Sequence, residues 1–311
     1  MRPVDRLRWD FGYIWTGLNE VKQRSAFITV LRQNLIGWKS YVLWQLGIKR
    51  PFTAKISGKS FVVRNDVQFM QLRHRLRLKL IDCEETEENQ LDVLNFQFKG
   101  RVAKLYCYPD MEPWVRSTVD VVFRRECYGI VNFEGKDVVD IGANLGDSAI
   151  YFAMRGAKRV IALEPDPSLF LLAKKNIQFN GLTSKVLLLN EAVGDLSRDL
   201  DQPKVLHNAN WRNASDQASE VHRSSLEDLV AEFSLNDAIL KVDCVGCELG
   251  LILNSSDSAL SMFSFLAIKY YDDLEEIRTR LIKAGYRIIK VTSYFVRNRS
   301  YRRHGRIFAT L

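Results

Sequence analysis

The feature that most constrains the fold of this chain is an alternation of short apolar runs with helical segments, which begins near residue 136. The apolar runs predict five strands, at 136–141, 158–164, 185–190, 238–243 and 264–270. Helices are predicted between them, at 146–156, 165–180, 224–233 and 272–285. Strands that are apolar throughout and alternate with helices are typical of a parallel sheet covered on both faces. Such sheets bind ligands beyond the carboxyl ends of their strands.

The rest of the chain has other patterns. Residues 1–50 are predicted to be a basic helical segment and residues 51–116 a β-rich extension, before an α/β domain at 117–311 that ends in a hairpin (286–296 and 305–311). The run LRHRLRLKL (72–80) alternates leucine with mostly basic residues, which predicts a strand with one basic face, a helix being the alternative. The acidic stretch EETEEN (84–89) is predicted to be a loop.

Basic residues are concentrated at the two ends of the chain. Residues 1–50 have nine Lys or Arg against three acids, and residues 278–311 have ten Lys or Arg and no acid. The formal net charge is +8, so the middle of the chain is acidic. Basic ends attract phosphates, nucleic acid or an anionic membrane surface, although a solvated basic surface fits the same composition.

The sequence predicts a cytoplasmic protein. Its first residues mix charged and aromatic side chains without the apolar core of a signal peptide, and no apolar run approaches the ~18 residues of a membrane span. The aromatic stretch LIGWKSYVLWQLGI (35–48) fits a helix packed on the domain or a helix at a membrane interface. We expect the packed helix, because the polar face is thin.

A glycine-rich turn follows the first strand of the α/β domain. In DIGANLGD (140–147), Gly142 allows a tight bend and Gly146 allows the next helix to begin close to the strand. The spacing is G-x-N-x-G, and Asn144 stands where a dinucleotide fold has a second glycine that lets a pyrophosphate touch the backbone. The turn therefore departs from the dinucleotide motif, although its N–H groups can still receive an anionic part of a ligand.

Glu164 stands at the end of the second strand, twenty-two residues after Gly142. A carboxylate at this place can accept two hydrogen bonds from a ribose diol. The segment NEAVGD (190–195) follows the third strand and is placed beside an adenine base, with Glu191 or Ala192 nearest. Together these features predict a cofactor that contains a nucleoside.

The string DIGANLGDSAIYFAMRGAKRVIALEPDPSLFLLAKKNIQFNGL (140–182) resembles the S-adenosylmethionine-dependent methyltransferases of the FkbM type. The resemblance extends over roughly 117–311 and continues in NEAVGD, in SLEDL (225–229) and in KVDCVGCELGLIL (241–253). It implies a Rossmann-like class I methyltransferase sheet of seven strands, the last antiparallel. It also implies S-adenosylmethionine (SAM) as cofactor and, usually, a hydroxyl group as methyl acceptor.

The candidate cofactor-binding residues all follow the first three strands of the domain. They are Asp140, Gly142, Asn144, Gly146, Asp147, Glu164, Asp166, Glu191 and Ala192.

Asp243 is the candidate catalytic residue, either orienting or deprotonating the acceptor. The family has a D-x-E-G-x-E pattern after the fourth strand, in which Asp243, Gly246 and Glu248 match and Val245 replaces the middle glutamate. Lys269 stands where the fifth strand of the family often ends in an acid. These departures concern the acceptor pocket, and without a second carboxylate no metal ion is predicted.

Cys244 and Cys247 stand three residues apart within the same motif, a spacing found in redox pairs and in half of a zinc site. The resemblance places them at positions usually filled by small apolar residues. We therefore expect both cysteines to pack as small hydrophobic side chains rather than to react.

The expected partner is a small molecule, sugar or lipid with a hydroxyl group. One alternative is an RNA methyltransferase that binds phosphates with its basic ends, although no NPPY-type tetrapeptide for a flipped base follows the fourth strand. Another is a binding module that keeps the fold without the activity.

Overall fold

The computed structural model describes residues 28–48, 50–56, 59–194, 222–244, 246–297 and 301–311. The chain divides into two compact units, Met1–Glu126 and Cys127–Leu311. The expected helical structure of residues 1–27 lies outside the described ranges, and so do residues 195–221. Within those ranges, no helix combines the length and the apolar character needed to cross a bilayer.

The N-terminal unit contains a helical stretch at 28–34, a β-hairpin and a three-stranded antiparallel sheet. Its elements are α1 (Trp38–Gln45), β1 (Phe52–Ile56), β2 (Lys59–Val63), α2 (Asp66–Leu78), β3 (Glu84–Glu88), β4 (Leu91–Phe98), β5 (Arg101–Cys107) and α3 (Glu112–Val119). The helix expected within 35–48 is α1. Its Tyr41 and Trp44 are buried in one cluster with Phe69 of α2, as expected for a packed helix.

The prediction of a strand at 72–80 is wrong, because this run belongs mostly to α2. Asn65 caps the helix by accepting a hydrogen bond from the N–H of Gln68 (2.9 Å). Phe69, Leu72 and Leu76 are three or four residues apart and all buried, so the helical period fixes the apolar face. Leu76, Leu78 and Leu80 alternate with basic residues at a period of two, which is why the sequence pattern favours a strand.

The prediction of a loop at 84–89 is also wrong, because Glu84–Glu88 forms β3, paired with β4. Basic side chains of the same unit pair with two of the acids, Glu85 and Glu88. Arg116, which is almost fully buried, donates from Nε to Glu85 (2.7 Å), and Lys104 pairs with Glu88 (2.9 Å). An edge strand of glutamates is stable here because the adjacent elements supply the opposite charges.

The C-terminal unit shows the α/β alternation expected for residues 117–311, and it begins at Cys127. Its elements are β6 (Asp137–Ile141), α4 (Asp147–Met154), β7 (Arg159–Leu163), α5 (Pro167–Phe179), β8 (Val186–Leu189), β9 (Ala192–Val193), β10 (Arg223–Ser224), α6 (Leu226–Phe233), β11 (Ala238–Val242), α7 (Glu248–Asn254), α8 (Asp257–Leu260), β12 (Phe263–Tyr271), α9 (Leu274–Lys283), β13 (Arg287–Arg297) and β14 (Tyr301–Thr310).

Seven of these strands form one sheet in the order β13-β14-β12-β11-β6-β7-β8. Neighbouring strands from β12 to β8 pair in parallel, whereas β14 is antiparallel to both β12 and β13. This order, with helices between the parallel strands, is that of a Rossmann-like class I methyltransferase sheet, and the predicted fold class is confirmed. The strand order reverses beside β6, so the carboxyl ends of β6, β7 and β11 border the crevice where such sheets bind ligands.

Local sequence explains why the helices begin where they do. Ser225 and Asp228 form a capping box at α6, in which each side chain bonds the backbone N–H of the other residue. Asp166 caps α5 by accepting the N–H groups of Ser168 (2.8 Å) and Leu169 (2.9 Å), and Pro167 occupies the first helical position. The second of these caps fixes a helix immediately beyond the crevice edge of the sheet.

Candidate functional site

The glycine turn after β6 is pressed against the turn that follows β11. Gly142 has a φ of +78°, and a Cβ at this position would lie 2.2 Å from the carbonyl oxygen of Asp243. The N–H groups of Gly142 and Ala143 both donate to the carbonyl of Leu163 at the end of β7 (3.0 and 2.9 Å). Only glycine can therefore keep the three strand ends this close together.

We expect Gly142→Ala to lower the free energy of unfolding by about 2–5 kcal/mol, because a left-handed backbone and a steric overlap add their costs. Gly135→Ala is the matched control, since Gly135 has a φ of +73° but no atom within 4 Å of an added Cβ. Its loss should stay near 1–2 kcal/mol. Urea denaturation of both variants measures the difference, and equal losses would show that the close approach at Gly142 costs nothing.

Asn144 and Glu164 meet at the crevice, as their positions in the sequence predict. The N–H of Asn144 donates to Oε2 of Glu164 (2.7 Å), and the N–H of Asp166 donates to Oε1 (3.0 Å). Asn144 has a φ of +53° and holds its own turn by accepting the N–H of Leu145 (2.8 Å). An asparagine tolerates this left-handed backbone better than most residues other than glycine, which gives its place in G-x-N-x-G a structural reason.

Two backbone hydrogen bonds fix the Glu164 carboxylate but leave part of its hydrogen-bond acceptor capacity unused. Each of its oxygens accepts one backbone N–H, and a carboxylate has about four acceptor sites, so two remain for hydroxyl donors. Burial raises the pKa of Glu164 to about 7, although both backbone N–H groups act in the opposite direction. A ligand that donates two hydroxyl groups would satisfy this carboxylate and stabilise its ionised form.

Gly146 and Asp147 begin α4 next to the turn. A Cβ on Gly146, whose φ is +84°, would lie 3.3 Å from the side chain of Ala173, so the glycine lets α4 and α5 approach closely. Asp147 stands in the first turn of α4 and is 6% exposed. Burial raises the pKa of Asp147 to about 7. This carboxyl borders the turn, and its exposed fraction equals that of Glu164.

Asp140, one of the candidate cofactor-binding residues, is fully buried in β6. It pairs with Lys241 of β11 (2.7 Å) and accepts a hydrogen bond from the Ser148 hydroxyl (2.6 Å). Lys241 also donates to the carbonyl of Gly142 (2.7 Å). The Asp140–Lys241 pair therefore supports the glycine turn from inside the sheet. Sequence reasoning missed Lys241, because only the pairing of β6 with β11 brings it to the turn.

The residues that follow β8 lie next to the end of β7. Asn190, which the sequence did not single out, donates from Nδ2 to the carbonyl oxygens of Glu164 (2.9 Å) and Pro165 (3.1 Å). Glu191 accepts a hydrogen bond from the Ser224 hydroxyl (2.8 Å), and Ala192 lies half-buried in β9. Asn190 thus ties the end of β8 to the end of β7, beside the carboxylate of Glu164.

Asp243 lies beyond β11 between two cations. Its Oδ1 is 2.7 Å from Nζ of Lys269, and its Oδ2 is 3.5 Å from Nη2 of Arg306. Burial alone would raise the pKa of Asp243, but the charges of Lys269 and Arg306 outweigh burial and lower it to about 2. A carboxylate with so low a pKa is a poor general base near neutral pH, and its chemistry here is that of a fixed anion.

Aromatic rings flank these two cations. The guanidinium carbon of Arg306 lies 5.3 Å from the ring centre of Tyr128, and Nζ of Lys269 lies 5.1 Å from that of Tyr271. Arg306 lies on the antiparallel strand β14, 63 residues from Asp243, and its spacing in the sequence gives no signal of the contact. The result is a partly exposed cluster of two cations and one anion at the edge of the crevice.

The expectation that Cys244 and Cys247 pack as unreacted side chains is wrong, because the two residues form a disulfide. Their Cα atoms are 5.7 Å apart, within the range of protein disulfides. Glu248 holds the same loop by accepting the N–H groups of Cys244 (3.1 Å) and Gly246 (2.6 Å). In the parts of the chain that the structure describes, no group of three or more His, Cys, Asp and Glu is arranged to hold a metal ion.

Comparisons with known proteins find similarity over short segments. A search of protein-family models finds no match. The chain is 41% identical over 66 residues to a probable protein arginine N-methyltransferase 6 from Arabidopsis thaliana, which is 21% of this chain and 15% of that protein. It is 35% identical over 68 residues to the ribosomal protein L11 methyltransferase of Carboxydothermus hydrogenoformans, which is 22% of each chain. The chain thus spans less than a quarter of the length of these two relatives.

A search of solved structures also finds matches, at low identity. TYW2 of M. jannaschii, in complex with AdoMet, aligns with a TM-score of 0.36 and 13% identity over 72% of this chain and 88% of that one. Trm5b of Pyrococcus abyssi aligns with a TM-score of 0.39 and 14% identity over 78% of this chain and 69% of that one.

Proposed function

We propose that residues 117–311, which include the whole compact unit Cys127–Leu311, are a SAM-dependent methyltransferase of the FkbM type. The observation that supports this most directly is the contact between the Asn144 N–H and Glu164 at the edge of the crevice (2.7 Å). This contact joins two elements of the crevice. One is a glycine turn suited to the amino acid part of SAM, and the other is a carboxylate suited to the ribose of SAM. The short similarities to a protein arginine and a ribosomal protein methyltransferase agree with the proposal.

Each part of the crevice has a separate binding role in this proposal. The turn at 142–146 lies beside the amino acid part of the cofactor. Its five N–H groups all donate within the protein, so the expectation that they receive an anionic part of the ligand is not carried into the proposal. Glu164 accepts both ribose hydroxyl groups, and the segment from Asn190 to Ala192 lies beside adenine. Asp140 and Asp166 support these elements through Lys241 and the α5 cap. When bound, SAM supplies an electrophilic methyl group, and the protein has to place the acceptor in line with it.

The proposed acceptor is a hydroxyl group of a small molecule, sugar or lipid, and Asp243 orients it. Because the pKa of Asp243 is lowered to about 2, the carboxylate stays ionised and accepts a hydrogen bond from the acceptor instead of removing its proton. Lys269 and Arg306 are 22% and 15% exposed, and the charged groups of both side chains face Asp243. The cluster of two cations and one anion has a net positive charge. This charge suits an acceptor that has a negative group close to its hydroxyl.

SAM binding should release protons below pH 7. In the free protein the pKa of Glu164 is about 7, and hydroxyl groups that donate to the ionised carboxylate lower that pKa in the complex. Binding at pH 6 therefore expels close to one proton, and the affinity should fall by up to about tenfold per pH unit as the pH decreases below 7. Above pH 8 the carboxylate is already ionised and the effect vanishes. Calorimetry in buffers of different protonation enthalpy counts the protons, and Glu164→Gln should abolish the release.

The raised pKa of Glu164 also affects the stability of the free protein. The folded-state pKa of Glu164, about 7, lies above its ordinary value of 4.5. The stabilisation from the protonated, buried carboxyl is therefore complete below about pH 4.5 and is lost as the pH rises through 7. SAM should reverse this trend by binding the ionised form.

The decisive experiment for the proposed function combines binding with methyl transfer. Native mass spectrometry of the purified full chain with SAM should show a one-to-one complex. SAM with a labelled methyl group should then transfer the label to a metabolite of a cell extract. A complex without transfer to any fraction would favour the binding module, and no complex at about 1 mM SAM would contradict the proposal.

The charge of the last residues favours RNA as a second candidate acceptor. Residues 278–311 include ten Lys or Arg and no acid. If RNA is the acceptor, the label should appear in the RNA fraction, and RNA binding should weaken steeply with salt, at about one power of the salt concentration per phosphate contact. Label in the small-molecule fraction, with binding of RNA that does not saturate, would exclude this candidate.

A further inference from the structure

The loop after β11 contains a motif that the proposed methyl transfer does not use. Cys244 and Cys247 are joined by a disulfide, and Gly246 between them has a φ of +120°. Glycine is the residue that adopts such a backbone without strain, so it lets the short loop bring the two sulfur atoms together. The cysteines therefore have a geometry in which the bond can close.

The same loop can also accommodate the two cysteines in their reduced form. Glu248 bonds the N–H groups of Cys244 and Gly246, and these contacts do not depend on the sulfur–sulfur bond. Cys247 is 9% exposed and belongs to the main apolar cluster of its unit, against which Cys244 also packs. A reduced cysteine packs well in such surroundings, because it behaves as a small hydrophobic side chain. Both oxidation states thus fit the same loop.

Access to the cysteines differs along the chain. Cys244 is half-buried and Cys247 is 9% exposed, so Cys244 is the more accessible residue of the pair. Cys83 and Cys107 are buried, and burial raises the pKa of each thiol to about 12. Since the thiolate is the reactive form, these two cysteines are inert internal references.

We propose that Cys244 and Cys247 form a reversible dithiol–disulfide site that exchanges with low-molecular-weight disulfides such as oxidised glutathione. The Cys244 thiol loses its proton and attacks one sulfur of the reagent, which forms a mixed disulfide and releases one thiol. The Cys247 thiol then loses its proton and attacks the Cys244 sulfur, which closes the protein disulfide and releases the second thiol. Two protein thiols are oxidised by two electrons, and one disulfide is reduced to two thiols.

The site adjoins the glycine turn, and this half of the inference rests on the proposed function. A Cβ on Gly142 would lie 2.9 Å from Cα of Cys244, so the backbones of the two loops are in contact. Cys244 also follows Asp243, which faces Lys269 and Arg306. Closing the disulfide restrains the loop on which both the cofactor turn and Asp243 rest. SAM affinity therefore depends on the oxidation state of this site.

A redox titration of the full chain without SAM tests the exchange. The protein is equilibrated with mixtures of reduced and oxidised glutathione, quenched with acid and labelled with a maleimide. Peptide mapping then scores each cysteine. Cys244 and Cys247 should change together in one two-electron transition, while Cys83 and Cys107 remain reduced in every mixture. A bridge that stays closed in reduced glutathione, or thiols that stay open in oxidised glutathione, would overturn the proposal.

Single substitutions test the order of the steps. Cys247→Ser should stop at a mixed disulfide that carries one glutathione on Cys244, because the resolving thiol is missing. Cys244→Ser should gain almost no glutathione, since Cys247 is buried. The opposite pattern would overturn the assigned order, and melting temperatures close to that of the unmodified protein establish that both variants are folded.

The coupling to the cofactor has its own readout. SAM affinity should differ by about fivefold between the oxidised and reduced forms, and SAM should shift the midpoint of the titration by the same free energy. The double variant Cys244→Ser, Cys247→Ser should show neither effect. Equal SAM affinities in both states would overturn the coupling alone. An absence of SAM binding would contradict the proposed function and leave the titration result standing.

Discussion

Glu164→Ala is expected to weaken SAM binding about a hundredfold or more. The substitution removes the acceptor of both ribose hydroxyl groups, and each hydrogen bond to a charged group contributes about 1.5–3 kcal/mol. A loss of about 3 kcal/mol corresponds to about a hundredfold in affinity. It also frees the N–H of Asn144, which Glu164 now holds at 2.7 Å, so the glycine turn loses part of its restraint. Isothermal titration with SAM measures the effect.

Asp237→Asn is the matched control for this experiment. Asp237 precedes β11 at the opposite edge of the sheet and forms an exposed ion pair with Lys136. Its substitution should change SAM affinity by less than about twofold, because a surface ion pair contributes about 1 kcal/mol or less even to stability. Similar losses in both variants would mean that the effect at Glu164 is a general loss of folded protein.

Lys241→Met should strongly destabilise the C-terminal unit. Lys241 is 3% exposed and pairs with the fully buried Asp140. Removing one partner leaves an uncompensated charge inside the sheet, which costs about 3–5 kcal/mol. The carbonyl of Gly142 also loses its donor, so SAM binding should weaken as well. Hydrogen exchange of the β6 and β11 amides at increasing urea measures the loss in this unit.

Two variants distinguish the cost of an unpaired buried charge from the cost of losing any lysine. Lys136→Met breaks an exposed pair with Asp237 and should cost about 1 kcal/mol or less. Asp140→Leu combined with Lys241→Met removes both charges and should recover most of the stability, because an apolar pair of similar size often replaces a buried ion pair without loss. If the double variant is as unstable as Lys241→Met, the buried charge is not the cause.

The parts of the site that local sequence determines could be predicted. Gly142 and Glu164 follow consecutive parallel strands, and their spacing alone places them at one edge of the sheet. The seven-stranded order with an antiparallel last strand follows from the resemblance to class I methyltransferases, and the alternation of strands and helices with a terminal hairpin agrees with it. The capping box at Ser225 and Asp228 is likewise formed by residues close together in the sequence.

Residues that depend on contacts between distant strands could not be predicted. Arg306 reaches Asp243 only because β14 inserts between β12 and β13, and Lys241 reaches Gly142 only because β11 pairs with β6. The sequence positions of Asp140 and Asp166 do not reveal that the first is buried in an ion pair and that the second caps a helix, and their contact with the cofactor stays a prediction. The Cys244–Cys247 disulfide depends on the backbone of the loop at Gly246, which a resemblance to small apolar positions does not reveal.

The most direct test of the central claim is a crystal structure of the protein with S-adenosylhomocysteine, the demethylated product of SAM. We predict that both ribose hydroxyl groups lie within about 3 Å of the Glu164 carboxylate, with the amino acid part over the turn at 142–146. A nucleoside bound elsewhere, or a crevice that stays empty at saturating ligand, would contradict the account.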